Sequence, residues 1–170
     1  MPLKSRILQN QMQITSRGKL PLVLREDSIR RKGLRLLEEM GWRGVSVSLL
    51  IVSDRGISRI HSDYLGDASP TDVITFSAIE GDGPAADDGS GRVFIGDIVI
   101  SWETARRQAR EFGTSLEYEF FFYLCHGLLH LAGYDDRTSR MRKRMLHIQT
   151  LFLHALGLFP DKKPLRRGHR

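Results

Sequence analysis

Two histidines, His126 and His130, stand four residues apart in the segment HGLLHLAGYDD that spans 126–136. On a helix that spacing places them one turn apart on one face. Their ring nitrogens can then converge on a single divalent ion at about 2.0–2.1 Å. Gly133 allows the chain to leave the helix and turn back, and Asp136, six residues past His130, can come round beneath the pair. Three protein ligands and an open fourth position form the pattern of a catalytic zinc site, in which the ion lowers the pKa of a bound water and polarises a phosphoryl or carbonyl oxygen. The competing reading is a pair of half-buried histidines satisfied by ordinary hydrogen bonds. Zinc proteases of this geometry carry a general-base Glu directly after the first His. Here that residue is Gly127, so peptide hydrolysis by that route lacks its proton acceptor.

Other chemistry-bearing residues have plainer readings. Cys125, the only cysteine, adjoins His126 and reads as a small buried side chain rather than a ligand or nucleophile. His147 and His154 read as surface or interface residues of the last helix, and His169 falls in a tail. Phe120, Phe121, Phe122 and Leu124 read as core. Asp97 reads equally well as structural or as orienting a site residue. The Gly-Ser-Gly at 89–91 does not open a helix after a strand, so no phosphate cradle and no nucleotide cofactor are expected.

The elements that must position these residues can be read from periodicity. Helices are expected over 25–40, 55–64 (with Asp54 as N-cap), 102–112, 116–131 (capped by Ser115, stopped at Gly133) and 138–156. Strands are expected over 7–14, 44–52, 73–76 and 93–101. Residues 80–91 read as an acidic Gly/Pro loop. The mixed order predicts an α+β fold, a small mixed sheet of about four strands covered by about five helices, with the metal site on a central helix and the loop after it.

A chain of 170 residues is one domain by length, assigned to 1–160, with 161–170 a basic tail expected to be disordered. Hydrophobic residues at 41% and charged residues at 27% give a globular balance. A single cysteine excludes a disulfide scaffold and a Cys-rich zinc module and fits a reducing compartment. No signal-type apolar stretch occurs in residues 1–15. The longest apolar run, 120–132, is shorter than the ~18–20 residues that cross a bilayer. A cytoplasmic protein with no membrane partner is expected. The net charge of +6 is unevenly spread. Residues 1–60 hold 12 basic and 5 acidic side chains, 61–136 hold 4 and 14, and 137–170 hold 10 and 1. Basic flanks suit a polyanion and an acidic centre suits a cation.

The segment 126–136 resembles the signature of the YbeY family of metal-dependent endoribonucleases and ribosomal RNA maturation factors, HG-x-LHL-x-GYDH, and departs from it only at the last position. Upstream, PTDVITF at 70–76 resembles the family's PTDVLSF, and GDIVIS at 96–101 resembles its GDIVIS strand. The resemblance spans roughly 45–157. It implies an α+β fold and single-strand-specific endoribonuclease activity in ribosomal RNA processing at the small-subunit 3′ end. It also implies one bound Zn2+, or Mn2+ or another divalent metal, with RNA and the ribosome or its small subunit as partners. It places metal ligands at His126, His130 and Asp136, with Asp135 as a capping or supporting residue. Thr71, Asp72, His61, Arg59 and Arg92 are candidate supporting or substrate residues. Two departures stand out. Asp136 replaces the family's third His, and Leu65 stands where the family carries Arg, with His61 three residues before Tyr64 replacing Asn. Those departures keep open a second reading, a non-catalytic RNA-binding assembly factor with a structural metal. A zinc peptidase is the third.

Overall fold

The computed structural model describes residues 8–66, 71–79 and 87–160. Four strands and five α-helices follow one another as β1 (Gln11–Ser16), α1 (Glu26–Glu39), β2 (Val45–Val52), α2 (Asp54–Leu65), β3 (Val73–Ser77), β4 (Val93–Ser101), α3 (Trp102–Phe112), α4 (Leu116–Leu131) and α5 (Ser139–Ala155). The sheet order is β1-β2-β4-β3. β1, β2 and β4 run parallel, and β3 lies antiparallel to β4 at the edge. This is the expected α+β class with a mixed four-stranded sheet. The first strand starts at Gln11 and extends to Ser16, because its register is set by pairing with Ser46–Ile51 of β2. The tail and residues 80–86 of the acidic loop lie outside the described residues.

α4 is the centre of the packing. Twelve of its 16 residues are buried, so it is covered all round, unlike a surface helix with one apolar stripe. Phe120, Phe121, Leu124 and Leu128 meet Ile29, Leu36 and Leu37 of α1, Ile98 and Ile100 of β4, and Met145 and Leu153 of α5 in one core. The opposite face of the sheet carries a smaller cluster of Val52, Ile57, Ile74 and Val99, covered by α2.

Two glycines set how closely α4 approaches the sheet. A Cβ on Gly127 would lie 3.0 Å from Ile98 Cγ2 and 3.2 Å from Thr75 Cγ2. A Cβ on Gly96 would lie 2.3 Å from the Phe76 carbonyl oxygen and 2.9 Å from Leu131 Cδ2, and the residue has φ +143, a conformation open chiefly to glycine. Gly96 follows the register shift of β2 against β4 at Ser46/Val47, a bulge that re-aims the strand.

β2 and β4 end side by side, Val52 opposite Ser101, and each runs directly into a helix. The N-cap of α2 is Ser53, whose side chain accepts from Gly56 N–H, and not Asp54 as the spacing suggested. Asp54 is engaged across the gap between the two helix starts. Its carboxylate accepts from Ser101 Oγ, from Thr104 Oγ1 at 2.6 Å and from Arg107 Nη1 at 2.6 Å. Burial pushes the Asp54 carboxyl up, but the hydrogen bonds from Ser101, Thr104 and Arg107 outweigh it and hold the group below its ordinary value.

A carboxylate favoured in the folded state stabilises the protein above its unfolded pKa of about 3.9. That contribution is lost as pH falls through the lower folded value. Asp54→Asn is therefore expected to lower the melting temperature by about 3–6 °C at pH 7. The difference from the parent should shrink in melts taken below about pH 4. An equal deficit at every pH would contradict the charge-based account.

Candidate metal centre

His126 and His130 project from the C-terminal half of α4, and their Nε2 atoms are 3.0 Å apart. Asp136 Oδ2 lies 3.5 Å from His126 Nε2 and 3.8 Å from His130 Nε2. Ligands arranged tetrahedrally about an ion at ~2.1 Å stand ~3.4 Å from one another, and the three observed edges bracket that value. The side chains are 23%, 28% and 36% exposed, so the cluster opens on solvent while its walls are protein. These three residues could hold a metal ion.

The hydrogen bonds behind the rings decide what the Nε2 atoms carry. Gln149 Nε2 donates to the Phe122 carbonyl at 3.1 Å. Its Oε1 therefore faces His126 Nδ1, 3.3 Å away, and that nitrogen is the donor. His130 Nδ1 lies 3.1 Å from the Tyr134 carbonyl oxygen, which can only accept. Each ring thus carries a proton on Nδ1, and in the neutral form of the pair both Nε2 lone pairs face the gap beside a carboxylate. Three electron-pair donors with no hydrogen between them repel unless a cation lies among them, and outer hydrogen bonds of this kind are the usual support of metal-bound imidazoles. Burial, and next the neighbouring His130, hold His126 below its ordinary pKa, against opposing effects of Gln149, Asp136 and Asp72. The ring is neutral at pH 7 and competent as a ligand.

The loop that closes the site is shaped locally. Gly133, at φ +85, reverses the chain, with Gly133 N–H donating to the His130 carbonyl at 2.9 Å and Tyr134 N–H to that of Leu129 at 3.0 Å. This brings the Tyr134 carbonyl to His130. Thr138 then caps α5 by accepting from Met141 N–H. Asp135 is turned to Arg137, accepting from its backbone N–H at 3.0 Å and from its guanidinium. Those two contacts hold the Asp135 carboxyl below its ordinary value. Asp136, not Asp135, joins the histidines.

Asp72 accepts from Val73 N–H at 2.8 Å at the start of β3, and its charge acts on His126. Thr71 Oγ1 donates to the Val73 carbonyl at 3.4 Å. Arg59 and His61 are carried by α2, which packs on the sheet face opposite α4, and neither belongs to the donor cluster. Leu65 is the last residue of α2. Arg92 donates from Nε to the Gln9 carbonyl at 2.8 Å, so it ties the start of β4 to the segment before β1. Strand alternation places Asp97 on the face of Val99, away from α4. Cys125 is fully buried, and burial pushes its thiol up to about 12. His147 and His154 are exposed on α5, the latter stacked on Phe159 at 4.8 Å.

Gln149 is the residue that sequence reading missed. The available signal was a polar side chain in the buried Met145–Gln149–Leu153 stripe of α5. Gln149→Leu removes the acceptor that fixes His126 and is expected to weaken divalent-metal affinity about 10–100-fold. Competition titration against a chromogenic chelator measures this. Unchanged affinity would show that the His126 ring is oriented by something else.

The family model described as Endoribonuclease YbeY matches residues 24–157. Endoribonuclease YbeY of Heliobacterium modesticaldum is 41% identical over 128 residues, which cover 72% of this chain and 77% of that protein. Endoribonuclease YbeY of Symbiobacterium thermophilum is 41% identical over 136 residues, covering 78% and 87% respectively. The solution structure of a Thermotoga maritima protein shares the fold with a TM-score of 0.56 at 23% identity, over 89% of this chain and 99% of that one. The family match runs from before α1 to the end of α5 and takes in the donor cluster, Gly127 and Gln149, and with it the chain belongs to the endoribonuclease YbeY family.

Proposed function

We propose that the protein is a metal-dependent endoribonuclease that cuts single-stranded RNA during ribosomal RNA maturation, including the 3′ end of the small-subunit RNA. The observation that carries this reading is the convergence of two imidazole lone pairs and one carboxylate at an exposed mouth, in a chain of a family described as endoribonucleases. His126 and His130 would hold the ion through Nε2 and Asp136 through Oδ2. Two nitrogens and one oxygen at tetrahedral spacing suit Zn2+, and the carboxylate makes Mn2+ more competitive than an all-histidine set would. When bound, the ion supplies a polarised scissile phosphate and a water of lowered pKa. Gln149 and the Tyr134 carbonyl hold the two rings in register, and Thr71 and Asp72 brace the edge strand beside them. The described residues act as one domain, at work in the cytoplasm on the ribosome or its small subunit.

The peptidase reading finds no support at Gly127. A Cβ there would lie 3.0–3.3 Å from side-chain carbons of Ile98 and Thr75, so a general-base carboxylate would fit only if those side chains gave way by a few tenths of an ångström.

Incubating the purified protein of measured metal content with single- and double-stranded RNA, with and without chelator, tests the proposal. Single strands should be cut preferentially, with cleavage abolished by chelator and lowered about 100-fold or more by His130→Ala. Tight RNA binding without cleavage would favour the assembly factor with a structural metal, and cleavage of casein but not RNA would favour the peptidase. Asp136→Ala should lose bound metal and Asp136→His should keep it. Unchanged metal content in Asp136→Ala would remove Asp136 from the ligand set.

A further inference from the structure

The nearest basic groups whose contacts tie them to the donor cluster come from α5. Arg142 is seven residues, two turns, before Gln149 and so shares its face. Its Nη1 donates at 3.1 Å to the carbonyls of both Asp136 and Arg137. The guanidinium is thereby held against the backbone of a candidate ligand, with three of its five N–H groups or more left for another acceptor. The Arg144 guanidinium carbon lies 5.8 Å from the centre of the Tyr134 ring, and the Tyr134 carbonyl is the partner of His130. Both arginine residues are exposed. Among the described residues neither pairs with a carboxylate, whereas the adjacent Arg137 is paired with Asp135. Two planar guanidinium groups therefore flank the 134–136 loop on a buttressed mount.

We infer that Arg142 and Arg144 form a clamp for the phosphodiester backbone of the RNA strand next to the scissile bond. The inference rests on the endoribonuclease reading and adds to it the residues that position substrate. A guanidinium presents paired donors that match two phosphate oxygens, and stacking on an aromatic ring or anchoring on carbonyls lowers the entropy lost on binding. Arg59 and Arg92, the cations that sequence offered for this role, are carried by α2 and the start of β4, and no contact ties them to the 134–136 loop among the described residues. Phosphate contacts carry no base information, so the clamp gives affinity and register without sequence preference.

The test uses a labelled 2′-O-methyl oligouridylate, which resists hydrolysis, titrated with the full chain at several salt concentrations. Arg142→Ala and Arg144→Ala should each weaken binding about five- to tenfold and flatten the salt dependence by about 0.7 in log–log slope. Lys143→Ala removes the same charge from an exposed position between them and should leave binding within about twofold. With cleavable RNA, KM should rise by the same factor as the loss of binding while kcat changes little. Arg144→Lys should retain the salt slope but lose part of the affinity. Metal content and melting temperature show whether the 134–136 loop is intact, and Arg144→Ala, which removes no backbone hydrogen bond, decides the matter if Arg142→Ala is unstable. Wild-type affinity in Arg144→Ala, or an equal loss in Lys143→Ala, would overturn the clamp while the endoribonuclease reading stands. Failure of the unaltered protein to bind or cut RNA would overturn both.

Discussion

Two imidazole lone pairs are held face to face at 3.0 Å beside a carboxylate, and the rest of the architecture follows from keeping them there. Left to themselves, the rings would rotate. Each is held by a hydrogen bond from its far nitrogen, one to a buried amide and one to a backbone carbonyl. Those partners are themselves fixed. Gln149 is anchored on the Phe122 carbonyl inside the α4–α5 interface, and the Tyr134 carbonyl is delivered by the glycine turn that ends α4. Preorganisation of this kind is costly without a cation and favours binding one, because little remains to be ordered when it arrives.

The site needs a helix that cannot shift, which explains the burial of α4 on nearly all sides. Gly127 lies between the two ligands in sequence and has no side chain because the helix rests on Ile98 and Thr75 there. Gly96 does the same service from the strand beneath Leu131. The close contact that seats the histidines thus falls at the position where a zinc protease carries its general base.

The ligand segment was legible in sequence because helical periodicity converts a four-residue spacing directly into a shared face, and the glycine after it announces a reversal. Strand order was not legible, since nothing local in Val73–Ser77 says that it runs antiparallel on the far side of β4. The helix start at residue 54 was misread by one position because Ser53 and Asp54 are both good caps. Only the tertiary contact with Ser101, Thr104 and Arg107 shows which one is engaged elsewhere. Arg92 was a candidate for substrate by type, and its contact with the Gln9 carbonyl, 83 residues away, was not legible. Side-chain type is local information, whereas partner identity is set by the whole fold.

The carboxylate at 136 changes the electrostatics of the site as well as its donor set. Two neutral imidazoles and one carboxylate leave a divalent ion with one net positive charge, one unit less than three imidazoles would. Asp72 adds further negative charge nearby. An RNA backbone approaching this mouth meets a weaker attraction than it would at an all-histidine centre, and the deficit must be met by fixed cations close to the metal. Among the described residues, Arg137, Arg140, Arg142, Lys143 and Arg144 follow the ligand loop directly, on and just before the first turns of α5, which are exposed and carry charge without disturbing the core. Acidic ligand and basic helix are two halves of one charge distribution. In the proposed function the first would retain the ion and the second would draw in the polyanion, with Arg142 joining them through the carbonyl of Asp136.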